Sequence, residues 1–181
     1  MAERTMMTSR YNLPARLLHW IVAVLVLAQF FLGFAADQAD GRAAEALVDR
    51  HVQLGLLILS LMLVRLLWRS IKSPTCPPQE DPRWQRWLAK VVHHLIYALI
   101  IIIPVSGYVL WAWMGQPLDW FGIYSIPILF EGGDDETWRS VAGYTHYFAG
   151  FGLIALVAVH VCAALWHQFV KRDGLITDRM M

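Results

Sequence analysis

Two histidines, His146 and His160, stand fourteen residues apart in one apolar stretch near the end of the chain. On a helix, that spacing rises about 21 Å and leaves both side chains roughly 40° apart on one face. An imidazole inside a membrane is costly to place and therefore marks a functional site. Two on one stripe, near opposite leaflets, are suited to two stacked cofactors, and haem fits best.

The elements that must position them are membrane helices. Of the 181 residues 57% are hydrophobic, and the mean hydropathy is +0.46. That is too apolar for an ordinary soluble domain. The chain reads as a single integral-membrane domain over residues 1–181, an all-α bundle of four transmembrane helices. The apolar segments lie at about 13–34, 47–68, 89–113 and 141–170, each long enough to cross about 30 Å of hydrocarbon. Pro104 is expected to kink the third, which neighbouring helices can compensate. Glycines at 33, 55, 107, 143, 150 and 152 offer smooth patches where a helix or a flat ring can approach closely. The charged start and the small residues Ala35 and Ala36 faintly resemble a signal peptide. The run is longer than a signal core and contains His19, so it reads as a retained first helix.

Basic residues set the expected orientation. Twelve of the fifteen fall at one end of the bundle, among them Arg16, Arg65, Arg69, Lys72, Lys171 and Arg172. Arg42, Arg50 and Arg139 fall at the other, so both termini are expected in the cytoplasm of a cell whose inner membrane holds the chain. Tryptophans mark both interfaces: Trp68, Trp84, Trp87 and Trp166 inside, and Trp111, Trp113, Trp120 and Trp138 outside. The net charge of +1 gives no support for nucleic-acid binding. Cys76, in the proline-rich inner loop, and Cys162 are expected to be unpaired. The outer loop from Gly115 to Ser140 holds a stretch too short to span, expected to lie in the interface or to cap the bundle. Its acidic cluster, Glu131, Asp134, Asp135 and Glu136, reads as solvated, with partner docking the alternative.

Depth along each helix pairs the histidines. His51 and His146 lie toward the outer side, His19 and His160 toward the inner side. Each pair would give an iron two imidazoles from facing helices, a six-coordinate low-spin centre suited to electron transfer. His93 lies at the inner depth and could replace His19, contact a propionate or line a pocket, while His94 reads as an interfacial anchor. His167 shares a face with His160 but is only about 10 Å further along, a spacing for a small molecule beside the inner haem. Met62 and Met114 could ligate iron, though packing explains them more simply.

Four segments carry a resemblance: LPARLLHW at the start, RLLWR ending the second helix, HHLIY opening the third, and HVCAALWHQFVKRDG at the close. They resemble the bacterial cytochrome b561 family, small four-helix proteins of the inner membrane with two haem b groups. That family is distantly related to the cytochrome b subunits of hydrogenases and formate dehydrogenases. The resemblance implies axial ligation by His19 with His160 and by His51 with His146, and ubiquinone as a redox partner. It also implies superoxide oxidation outside coupled to ubiquinone reduction inside. His167 holds the position resembling the family's quinone-site histidine, with Trp166, Arg69 and Lys72 expected around it and His93 as a quinone or propionate contact.

Two other functions compete. Nine acidic residues face three basic ones outside, which argues against long-range steering of an anion. A quinone-linked relay serving a periplasmic redox protein is the alternative. A membrane protein carrying a transition metal would need histidines and carboxylates clustered together. The deep histidines are instead spread in depth, with no acidic residue expected inside a helix.

Overall fold

A computed structural model describes residues 11–72, 81–113, 115, 117–129 and 136–177. Cys76, Met114, Glu131, Asp134, Asp135 and the terminal arginines Arg4, Arg10 and Arg179 lie outside the described residues.

Four long helices run antiparallel in sequence: α1 Leu13–Asp37, α2 Gly41–Ile71, α3 Arg83–Trp113 and α4 Glu136–Trp166. All four are long and apolar enough to cross a membrane. Asn12 starts α1 by accepting the Ala15 N–H at 3.1 Å, with Pro14 in the first turn where its missing donor costs nothing. The same Asn12 oxygen accepts the Trp68 indole N–H at 3.0 Å, tying the start of α1 to the end of α2. Only residues 38–40 separate these two helices, so they form a tight hairpin. Pro104 sits within α3, which continues through it.

The helices outrun the apolar segments that mark them. α2 begins at Gly41, α3 at Arg83 and α4 at Glu136, each five or six residues before its hydrophobic run. Hydropathy reports only the stretch in hydrocarbon, whereas residues such as Arg42, Glu45 and Arg86 continue a helix readily outside it. One expectation is corrected as a result: acidic side chains do lie within helices, and Asp49 in α2 accepts the Gln53 amide at 2.8 Å. α4 runs on into a π-helical turn, His167–Lys171.

The core lies between the helices at mid-depth. Val22, Val26, Ile58, Met62, Val92, Ile96, Ile100 and Leu153 form one buried cluster, and Met62 is only 1% exposed. Met62 is thus packed among apolar side chains. Most other large apolar residues, such as Phe31, Leu67, Phe148 and Phe169, face outward, as lipid-facing helices require. α1 meets α4 through Phe30 and Phe151, whose rings stand edge to face at 6.2 Å.

Part of the loop between α3 and α4 caps one end of the bundle. Leu118–Trp120 (β1) pairs antiparallel with Tyr124–Ile126 (β2). The turn between them places Phe121 and Gly122 at φ of 53° and 68°, the left-handed pair that a tight hairpin needs. Phe121 N–H donates to Gln53 Oε1 of α2 at 3.1 Å. Tyr108 of α3 donates its hydroxyl to the Pro127 carbonyl at 2.9 Å and accepts the Leu129 N–H at 3.1 Å. Leu118, 1% exposed, is buried beneath. Tyr108→Phe removes both bonds, each worth about 1 kcal/mol. Limited proteolysis is expected to cut the outer loop faster in this variant while the helical signal is kept; an unchanged cleavage rate would show that Tyr108 does not hold it.

Candidate functional site: two layers of paired imidazoles

Each helix carries two particular residues fourteen positions apart. They are His19 and Gly33 in α1, His51 and Arg65 in α2, His93 and Gly107 in α3, and His146 and His160 in α4. A fourteen-residue step returns almost to the same helix face. Two layers result: Gly33, His51, Gly107 and His146 at one level, and His19, Arg65, His93 and His160 at the other. Of these relations, only that between the two histidines of α4 is part of the expectation from sequence. Arg65 and Gly107 are additions, and the shared spacing is the signal that finds them.

In the layer nearer the hairpin, the His51 and His146 ring centroids are 5.9 Å apart. The glycines make room for both rings. A Cβ at Gly33 would lie 2.8 Å from Cε1 of His51, and one at Gly107 would lie 2.9 Å from Cε1 of His146. Both are closer than carbon atoms tolerate. His146 Nδ1 donates to the Ile103 carbonyl at 2.9 Å, beside the Ser106 hydroxyl at 3.4 Å. A carbonyl can only accept, so the proton is fixed on Nδ1 and the Nε2 lone pair is left for a ligand. The Gln29 amide donates to the His51 carbonyl at 2.7 Å. His51 Nδ1 itself is buried without a hydrogen-bond partner.

In the other layer, His160 of α4 faces His19 of α1 at 6.2 Å and His93 of α3 at 5.1 Å between centroids. Arg65 donates to the Ala15 carbonyl at 3.5 Å and lies within electrostatic reach of all three rings. Two imidazoles bound at about 2.0 Å to opposite sides of one metal ion hold their centroids roughly 6 Å apart. The His51–His146 and His19–His160 pairs fit that separation. The His93–His160 pair is shorter by about an ångström. The ring separations therefore fit a metal-centred flat group in each layer, and in the His51–His146 layer the glycine faces and the fixed His146 tautomer support it.

The remaining candidates fall into two groups. Arg69 donates to the Tyr97 hydroxyl at 2.9 Å, and Tyr97 stacks on His93 with centroids 6.5 Å apart. This places Arg69 beside the His19–His93–His160 layer through Tyr97. His94 is exposed and donates Nδ1–H to the Lys90 carbonyl at 2.6 Å, an anchor by geometry. His167 opens the π-helical turn, and its Nδ1 meets Asp173 Oδ2 at 2.5 Å. Lys171 of the same turn donates to Asp81 at 2.6 Å and to Gln85 at 2.7 Å, clasping the start of α3. Trp166 and Lys72 are exposed, at the ends of α4 and α2. Asp81, His167 and Asp173 have ligand atoms within 4.8 Å of one another, a cluster of the kind a metal carrier would need. The Lys171 ammonium already answers its charge.

The family described as prokaryotic cytochrome b561 matches residues 10–181. Cytochrome b561 homolog 2 of Escherichia coli K12 is 28% identical over 170 residues, covering 92% of this chain and 89% of that protein. Cytochrome b562 of Cereibacter sphaeroides is 26% identical, covering 91% and 90%. A protein of Yersinia pestis named probable superoxide oxidase CybB is 27% identical, covering 91% of each. A family likeness that runs nearly end to end, over four helices whose facing imidazoles are spaced for a haem iron, identifies the chain as a member of the prokaryotic cytochrome b561 family of membrane electron-transfer proteins.

Proposed function

We propose that this cytochrome holds two haem b groups, one between His51 and His146 and one between His19 and His160, and carries electrons across the inner membrane to ubiquinone. The observation that carries the reading is the two-layer repeat with its facing imidazoles at 5.9 and 6.2 Å. A haem held by two imidazoles is six-coordinate and supplies one-electron transfer without an open position for oxygen.

The chain's own residues supply the rest. The Ile103 carbonyl orients His146 and keeps its Nε2 lone pair available. Gly33 and Gly107 let His51 and His146 lie against helix backbone. Arg65 places a positive charge among the inner rings, where it would favour an anionic propionate or an electron-rich centre. His93, held between Tyr97 and His160, is suited to a propionate contact. The excess of basic residues at the His167 end supports cytoplasmic termini.

Superoxide is the electron donor in this reading, a choice supported by the name of the Yersinia pestis relative. Two superoxide anions each lose one electron at the outer face and leave as dioxygen. Ubiquinone takes both electrons at the inner face together with two protons, becoming the quinol. His167 hydrogen-bonds a quinone carbonyl and hands over protons from the cytoplasm. The acidic outer surface, where Arg139 is paired with Glu136 at 3.2 Å, favours instead a docked periplasmic donor of basic surface. Stopped-flow mixing separates the two. Superoxide is expected to reduce the haems of the purified protein within the mixing experiment, superoxide dismutase to abolish this, and ubiquinone to reverse it. Haems that stay oxidised under superoxide yet accept electrons from a basic periplasmic protein would make the chain a relay.

The haem assignment has its own test. Gly107→Ala drives a methyl group against His146, an overpacking that costs about 1–3 kcal/mol. Haem content is expected to fall from two to one per chain, with the inner haem's spectrum kept. Loss of both haems, or of neither, would contradict separate layers.

A further inference from the structure

The closing segment is built around His167 in a way that neither helix pattern nor family likeness explains. The π-helical turn ends at Arg172, which adopts left-handed φ and ψ of 56° and 36°. For a residue with a Cβ that conformation costs roughly 1–2 kcal/mol. It turns the chain back on itself. The Arg172 and Asp173 N–H groups both donate to the His167 carbonyl, the latter at 3.3 Å. The reversal delivers the Asp173 carboxylate to His167 Nδ1 at 2.5 Å. The two side chains are only 17% and 25% exposed. The second carboxylate oxygen accepts the Leu175 N–H at 3.2 Å, which fixes the plane of the group. Gln168 Oε1 accepts the N–H groups of Ile176 and Thr177 at 3.2 and 3.4 Å and staples the returning chain to the turn. Lys171 anchors the whole hook to Asp81 and Gln85 at the start of α3.

We infer that Asp173 is a positioning residue for the quinone-reducing histidine: it holds Nδ1–H of His167, fixing the ring's tautomer and direction so that Nε2 is the atom that meets the quinone carbonyl. This rests on the reading of His167 as the quinone-site histidine. The proton balance is simple. His167, protonated on both nitrogens, gives the Nε2 proton to the quinone oxygen and keeps Nδ1–H on Asp173. It is left as the neutral tautomer whose Nε2 takes the next proton from cytoplasmic water. Without the carboxylate, either nitrogen could carry the single proton of the neutral ring, and the tautomer with an open Nε2 would no longer be held between turnovers. The backbone strain at Arg172 supports the same reading, because a local cost of this kind persists where surrounding bonds enforce a functional geometry. The same patch is a poor cation site, since Lys171 Nζ already stands 2.6 Å from Asp81.

The experiment uses the purified holoprotein with its haems reduced by limiting dithionite, then mixed with ubiquinone-1 while haem oxidation is followed. Asp173→Asn is expected to lower the saturating rate about tenfold or more, as when the partner orienting a functional histidine is removed. The half-saturating quinone concentration is expected to change far less. Asp173→Glu, which keeps the carboxylate, is expected to recover most of the rate. His167→Gln is expected to be slow as well, and the double variant Asp173→Asn with His167→Gln no slower than His167→Gln alone. A second readout is independent of turnover. The ring ¹⁵N shifts of His167 in the reduced, diamagnetic protein are expected to report protonated Nδ1, and to change in Asp173→Asn. Full-speed quinone reduction by Asp173→Asn alongside a slow His167→Gln, or additive losses in the double variant, would overturn the positioning role alone. A fast His167→Gln would overturn the quinone-site reading on which it rests.

Discussion

A ring nitrogen placed in hydrocarbon is costly unless it is bonded, and the bundle is arranged around that cost. Five imidazoles belong to the two layers, and the surrounding elements are spent on satisfying or seating them. His146 gives its Nδ1 proton to the Ile103 carbonyl of α3. His51 lies against the backbone of α1 because Gly33 has no side chain to prevent it. Ser106, the one buried polar residue among the described core residues, adds its hydroxyl beside His146 and bonds the same carbonyl at 2.8 Å. A bundle of this shape could be packed from leucine alone; what distinguishes it is where the apolar packing stops.

It stops at two levels, and the space between is filled. The buried cluster running from Val22 and Val26 through Ile58 and Met62 to Ile100 and Leu153 separates the layers with close-packed apolar side chains. Such a plug excludes water and keeps the local dielectric low, so charge placed in one layer is felt more strongly in the other than it would be across water. The layers are also unlike in character. Arg65 brings a positive charge to one, whereas the other has glycine at two of its four corners. Two chemically identical cofactors would thus experience different surroundings, the means by which a protein sets a downhill direction for electrons.

Much of this was legible in the residues and some was not. The four spans followed from hydropathy, because a membrane sets a minimum apolar length. The facing of His51 with His146 and of His19 with His160 followed from depth, because helix rise converts residue number into height. Arg65 escaped notice because the rule that collects basic residues at one end treats each as a flanking charge and hides its register with His51. Gly107 was visible only as one of several smooth positions, since a glycine does not announce which side chain it admits. The hairpin of three-residue strands left no periodic trace, and its pairing depends on Gln53 and Tyr108 from elsewhere in the chain. Asp173 was hidden for a related reason. Its approach to His167 requires a left-handed arginine, which no local preference would favour.

The fourteen-residue interval on α4 has a mechanical meaning as well. One contact lets a helix swivel about it, but two contacts far apart along the same rod fix its tilt and its axial position together. His146 and His160 are joined by covalent backbone and a continuous ladder of helix bonds, so the interval between their layers is ruled by peptide geometry and not by how the core happens to pack. Tunnelling rates fall steeply with distance, and a gap defined this way would survive substitutions that loosen Val22 or Ile58. The helix acts as a gauge bar: lipids can stretch or thin around the bundle while the spacing of its two histidine layers stays the same.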